Sequence, residues 1–312
     1  MLLRTLSRTA LLGLSLGLVV PASLAQETPT AHAVVTAITP AKEGSTTIPK
    51  SSITAFVGGK RQDVSSWIPL RGSRAGLQLV FLLDDASRTS ISLQFGDIRK
   101  FIEALPPTTE IAIGYMRNGT TDIVQNFTTD HAAAAKTLRV PLGMNSINGS
   151  PYFCIQDLIR RWPPGDPNLR REIVMVTDGV DRYTGVRYDP ENPYVKNATD
   201  DAQKAGVLIY SIYYTGVGRI DQTGYGQDSG QNYLIQFSRD TGGESYYMGY
   251  GNPVSFAPFL DDIQRKLQNQ YELSLAVTPK KGLEPLKVKT NAPKTKLEAP
   301  SQVLIRDASG GQ

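Results

Sequence analysis

Cysteine is almost missing from this chain of 312 residues: Cys154 is the only one. No intrachain disulfide can form, so thiol cross-links do not hold the fold. Histidine is nearly as scarce. His32 and His131 are the only two, and neither can be matched to a nucleophile, which leaves Ser-His-Asp and Cys-His chemistry without footing. Excess charge of one sign is also lacking: the formal net charge is +4, and the sequence shows no nucleic-acid or membrane-surface footprint. Nor is there an apolar run long enough to span a bilayer. The glycine-rich run Gly216 to Gly230 lacks the strand, turn and helix spacing of a dinucleotide fingerprint, and no Walker lysine pattern occurs. One G-x-S-x-G string, Gly13 to Gly17, lies in the apolar leader and carries no nucleophile elbow.

What is present is ordinary for a globular chain: 40% hydrophobic and 20% charged residues, enough to bury at least one full core. Arg4 and Arg8, the apolar stretch Ala10 to Val20, and Ser23-Leu24-Ala25 read as a secretory signal peptide spanning residues 1–25. The mature chain is therefore expected outside the cytoplasm, in the periplasm or extracellular. Residues 26–75 carry short β-branched runs, HAVVTAI and SSITAFV, with a Gly58-Gly59 turn. Residues 271–312 carry YELSLAV and LKVKT, which alternate in the manner of half-buried strands. Neither set can be stable alone, so the two ends are expected to meet in a small antiparallel β unit.

Between them, residues 76–270 alternate strands and helices. The unbroken run Leu79 to Leu83 reads as a central strand covered on both faces, ending in Asp84 and Asp85. Phe95, Ile98, Phe101, Ile102 and Leu105 follow at helical spacing. Glu110 to Tyr115 and Thr121 to Phe127 read as an edge hairpin around Asn118-Gly119. Glu172 to Thr177 and Val207 to Tyr213 are further core strands; 132–138, 151–160, 197–205, 232–239 and 254–267 read as helices, and Glu244 to Tyr247 as a short edge strand. Such alternation predicts a doubly wound α/β fold, a mostly parallel Rossmann-like sheet with helices on both faces. Ligands of such sheets bind outside the carboxyl ends of the strands. Three elements converge there: Asp84 with its loop to Thr89, Asn148-Gly149-Ser150-Pro151, and Thr177-Asp178-Gly179. Two loops rich in Gly, Asp, Asn and Tyr, Arg182 to Tyr194 and Tyr214 to Gln231, border the same crevice. Of their tyrosines, Tyr183, Tyr188, Tyr214 and Tyr225 are suited to touching a partner.

LVFLLD at the first core strand, NGSPY in the middle loop and IVMVTDGVD at the later strand resemble the von Willebrand factor type A family, in the variety found in exported bacterial proteins. The resemblance covers about Gly76 to Gln270. It implies a metal site built from an Asp-x-Ser-x-Ser loop, a Thr and a second Asp. Carried over, Asp84 matches the first Asp, Ser150 stands in place of the Thr and Asp178 matches the last Asp, while Ala86 and Arg88 occupy the two serine positions. A register slipped by one would use Asp85, Ser87 and Thr89 instead; the helix spacing favours Asp84. The expected site is thus degenerate, with no cofactor or a weakly held Mg²⁺. Arg88 is expected to form charge-assisted hydrogen bonds with Asp84 or Asp178 in a metal's stead and, with the Tyr-rich loops, to contact the partner. The resemblance implies a binding module rather than an enzyme, with a protein or peptide partner. Alternatives are a structural role in an envelope complex, docked through the β unit, and a metal-dependent hydrolase.

Overall fold

A computed structural model describes residues 30–40, 47–143, 149–166, 168–185, 187–217, 224–277 and 282–306. The predicted signal peptide and Asn148 lie outside them. The strands are β1 (Thr30–Ile38), β2 (Ile53–Val57), β3 (Lys60–Pro69), β4 (Leu77–Asp84), β5 (Thr109–Arg117), β6 (Thr120–Thr128), β7 (Arg170–Thr177), β8 (Val207–Tyr213), β9 (Ser245–Tyr246), β10 (Gln270–Ala276), β11 (Gly282–Thr290), β12 (Lys296–Glu298) and β13 (Gln302–Arg306). The helices are α1 (Phe95–Glu103), α2 (His131–Lys136), α3 (Pro151–Arg160), α4 (Pro193–Ala205), α5 (Gly224–Thr241) and α6 (Ala257–Gln268).

One sheet has the order β6-β5-β4-β7-β8-β9. All its pairs are parallel except β5 with β6, joined by the turn at Asn118 and Gly119, both with positive φ. β4 sits in the middle with Leu79 to Leu83 fully buried. Alternation sends Leu77, Leu79, Phe81 and Leu83 against α1, α2 and α6, while Val80 and Leu82 face α3, α4 and α5. The doubly wound prediction holds. Each of these side chains contributes about 1.5–3 kcal/mol by leaving water.

The second sheet is antiparallel and closes on itself. Its order is β10-β3-β2-β11-β13-β1-β12, and β10 also pairs with β1. The described N- and C-terminal flanks do meet, in a barrel-like sheet larger than the short runs suggested. Trp67 stacks on Tyr271 at 4.5 Å inside it, and the Trp67 indole donates to the Ile48 carbonyl at 3.1 Å. The chain leaves the barrel along β3 and returns along β10, an antiparallel pair.

Two helices begin well before the residues predicted for them. α4 begins at Pro193, where the Asn192 side chain accepts from the backbone of Tyr194 and Val195. α5 begins at Gly224, so the C-terminal part of the glycine-rich loop is helix. Glycine serves packing here: a Cβ on Gly230 would lie 2.0 Å from the Asp178 carbonyl oxygen, so α5 can rest on the turn after β7 only without one.

Candidate functional site

At the carboxyl end of β4 the chain turns sharply. The Asp84 carboxylate accepts from the Ala86 backbone N–H at 2.8 Å and from the Thr177 hydroxyl at 2.6 Å, which ties β4 to the end of β7. Asp85 points elsewhere. Arg139 grips it with two hydrogen bonds, at 2.7 and 2.9 Å, and the same guanidinium lies 3.7 Å from the centre of the Tyr115 ring. Of the two acids, Asp84 faces the crevice and Asp85 is a structural fastener. Ser87 is buried and bridges to Gly216, its hydroxyl without a hydrogen-bond partner, while Thr89 is exposed at the start of a short 3₁₀ helix.

After β7 the turn at Asp178 is held by its own carboxylate, which accepts from Val180 N–H at 2.9 Å. Gly179 has φ +70°, a conformation that favours glycine. The Tyr152 hydroxyl of α3 donates to the Gly179 carbonyl at 3.0 Å; burial pushes this phenol well above its ordinary range, so it stays a donor.

Arg182 is the residue that sequence reading missed. Its guanidinium forms an ion pair with Asp178, both side chains almost wholly buried, and its backbone N–H donates to the Gly149 carbonyl at 3.2 Å. The following loop is ordered around buried Asp181, which accepts from Tyr183 N–H, from the Thr184 hydroxyl at 2.6 Å and from the Asn192 amide at 2.8 Å. Arg88, by contrast, donates through Nε to the Gly216 carbonyl at 3.2 Å. The arginine that meets an acid of the site is therefore Arg182 and not Arg88, because the loop after β4 runs out along residues 215–217 and carries Arg88 with it.

Asp84, Ala86, Ser150, Pro151, Cys154 and Arg182 are among the residues around a cavity of about 30 Å³. That is room for one water-sized occupant. Ser150, at the start of α3, is 2% exposed and its hydroxyl has no hydrogen-bond partner. Cys154 is buried, and burial holds its thiol above the ordinary value, which disfavours the thiolate. His32 lies in the barrel, and His131 sits on α2 with Nε2 against the Thr109 carbonyl.

A hard divalent ion needs several oxygen donors and no fixed positive charge beside it. Ser150 offers an oxygen and Asp84 a carboxylate. Ala86 offers none, and the Asp178 carboxylate already carries a fixed positive charge on Arg182. The residues present do not fit Mg²⁺.

Of the tyrosines expected to touch a partner, Tyr183, Tyr188 and Tyr225 are exposed. Tyr214 is not: it is 2% exposed, packs edge-on against Phe256 and shares a hydrogen bond with Ser90 at 2.9 Å. Its place next to the last core strand turns it inward. Tyr183 forms a mutual edge-to-face triangle with Phe153 and Tyr194, centroids 4.9 to 5.3 Å apart.

No family profile and no curated protein matches the chain. Solved structures do. A conserved hypothetical protein BatB from Bacteroides thetaiotaomicron is 12% identical, with a TM-score of 0.43 over 62% of this chain and 97% of that one. A von Willebrand factor type A protein from Catenulispora acidiphila is 10% identical, with a TM-score of 0.46 over 90% and 74%. The ArnB paralog VWA2 from Sulfolobus acidocaldarius is 10% identical, with a TM-score of 0.38 over 88% and 75%. Such scores add no weight of their own. By its strand order and by the loops that converge at the strand ends, the α/β part of the chain is similar to von Willebrand factor type A domains.

Proposed function

We propose that the protein is an exported, non-enzymatic binding module that holds a protein partner at the carboxyl edge of its parallel strands. The observation that carries this reading is where apolar surface is left uncovered. Among the described residues, the exposed large hydrophobics are Leu93, Val140, Leu142, Tyr183, Tyr188, Tyr225, Tyr247, Met248, Tyr250 and Val254, with Val124 on the edge strand β6 as the single exception to one location. The others all lie in loops or helix starts that border this edge. Leu93 and Val254 are 81% and 93% exposed on adjoining segments, because Gln94 holds the Pro253 and Val254 carbonyls at 3.3 and 3.2 Å. Apolar surface gathered on one face and rimmed by polar groups is the mark of an interaction site.

Docking through the barrel has less support. Its exposed positions include Lys60, Arg61, Lys287 and Lys289, and none of the large exposed hydrophobics belongs to it. Export rests on the leader sequence; no helix among the described residues is long and apolar enough to cross a membrane.

A photo-cross-linking residue at 93, 225 or 254 is expected to capture a partner protein in cells, while the same residue at 61 or 289 captures none. Equal capture at 61 and 289 would overturn the assignment of the face.

A further inference from the structure

We infer that Arg182 is a built-in cation, a side chain that neutralises the acids at the strand ends and closes the site to divalent metals. Removing its charge uncovers a latent metal site. The inference does not depend on the partner reading, because what it predicts is metal affinity itself.

Three observations carry it. The first is convergence: Asp84 from the end of β4, Ser150 from the start of α3 and Arg182 from the loop after β7 surround one small cavity. Asp178 is drawn into the same group through its ion pair with Arg182. The second is an unmet oxygen. Ser150 is buried beside that cavity with no partner for its hydroxyl, and a buried polar atom of this kind normally has one. The third is preorganisation. Arg182 is not a surface side chain that has folded over: its backbone is bonded to Gly149, and the next turn is built on buried Asp181.

The charge balance decides what such a group of residues can accept. Asp84 and Asp178 bring two negative charges, and Arg182 returns one positive charge at fixed distance; Arg117 also lines the cavity, but at the exposed end of β5 where solvent screens it. A divalent ion entering the cavity would meet a carboxylate already in a charge-assisted pair and a guanidinium of like sign. Without the guanidinium, two carboxylates and a serine hydroxyl would face a water-sized space, a set of hard oxygen donors that suits Mg²⁺ or Mn²⁺ with the remaining positions filled by water. The arginine does this at no entropic cost of capture, since the fold has already placed it.

The experiment is a Mn²⁺ titration of the full chain, followed by electron paramagnetic resonance and calorimetry, for the wild type, Asp178→Asn, Arg182→Ala, Arg182→Gln and Arg182→Ala combined with Asp178→Asn. Thermal melts establish that each variant is folded. The wild type is expected to show no saturable Mn²⁺ binding. Arg182→Ala is expected to bind Mn²⁺ saturably, with an affinity about tenfold or more above the upper limit set by the wild-type titration, and the added Asp178→Asn to abolish the gain. Where Arg182→Ala does not melt cooperatively, Arg182→Gln, which keeps a planar hydrogen-bonding head without charge, is read in its place. Saturable binding by the wild type that Asp178→Asn removes would overturn the inference. So would a folded, uncharged variant that stays metal-silent.

Discussion

Strand β7 carries an arginine–carboxylate pair at each end, and the two differ in their surroundings rather than their chemistry. At the lower end Arg170 and Glu172 meet at 3.1 Å, and the guanidinium also donates to the carbonyls of Ala75, Gly76 and Leu267. Glu172 accepts from Gln270 as well, the first residue of the barrel's return strand. Burial pushes the Glu172 carboxyl above its ordinary value, against the pull of Arg170 and Gln270. At the upper end Arg182 and Asp178 are almost as buried, yet they adjoin a cavity and an unpartnered serine. The lower pair spends its hydrogen bonds joining the two sheets. The upper pair keeps a face turned toward what can enter.

That contrast can be broken experimentally, most sharply at the lower end. Arg170→Met leaves Glu172 buried without its counter-ion and is expected to cost about 3–5 kcal/mol in chemical denaturation, loosening both sheets together. Arg182→Gln is expected to cost less, about 1.5–3 kcal/mol, because Asp178 keeps its own backbone donor and the cavity can admit water. Equal losses would erase the distinction. Gly230→Ala tests the support beneath the upper pair: the new methyl collides with the Asp178 carbonyl, and about 1–3 kcal/mol should be lost as α5 lifts from the turn.

Asp97 offers a carboxylate held without arginine. It accepts from the Ser255 hydroxyl at 2.6 Å and from the backbone of Phe256 and Ala257. The Ser255 bond leads in holding its pKa below the ordinary 3.8. A depressed folded pKa gives stability that is full above the unfolded value and lost as pH falls through the folded one. Asp97→Asn should therefore cost about 1 kcal/mol at neutral pH, and the difference from wild type should shrink below pH 3.8 in melts run across that range. The smallest change in stability, within about 0.5 kcal/mol, is expected for Leu93→Ser with Val254→Ser. That variant should nevertheless lose cross-linking to the partner at position 225.

The α/β sheet was legible because its signals are local. Leu79 to Leu83 has no polar face to present, and the helices that cover it repeat at spacings of three and four. The barrel was legible only as a need: β1 and β13 are far apart in sequence, and nothing short-range says that Thr30 lies opposite Arg306. At the site, Asp84 could be separated from Asp85 by the helix register alone. Arg182 could not be found that way. It looks like any loop arginine until Gly149 and Asp178 are brought beside it, whereas Arg88, at the expected position, is carried off by its own turn. Tyr214 and Gly230 misled for a related reason: a polar tip and a glycine read as loop chemistry, but here they serve close packing against Phe256 and the Asp178 turn.

The route of the chain through the barrel has a mechanical consequence. The α/β part is entered from β3 and left through β10, while the described ends, Thr30 and Arg306, lie opposite each other on antiparallel strands. Tension applied across those ends would first part the short β1–β13 seam, like a zip. The crevice, hung from β3 and β10, would feel that load only through the longer β1–β10 pairing, after the seam had opened.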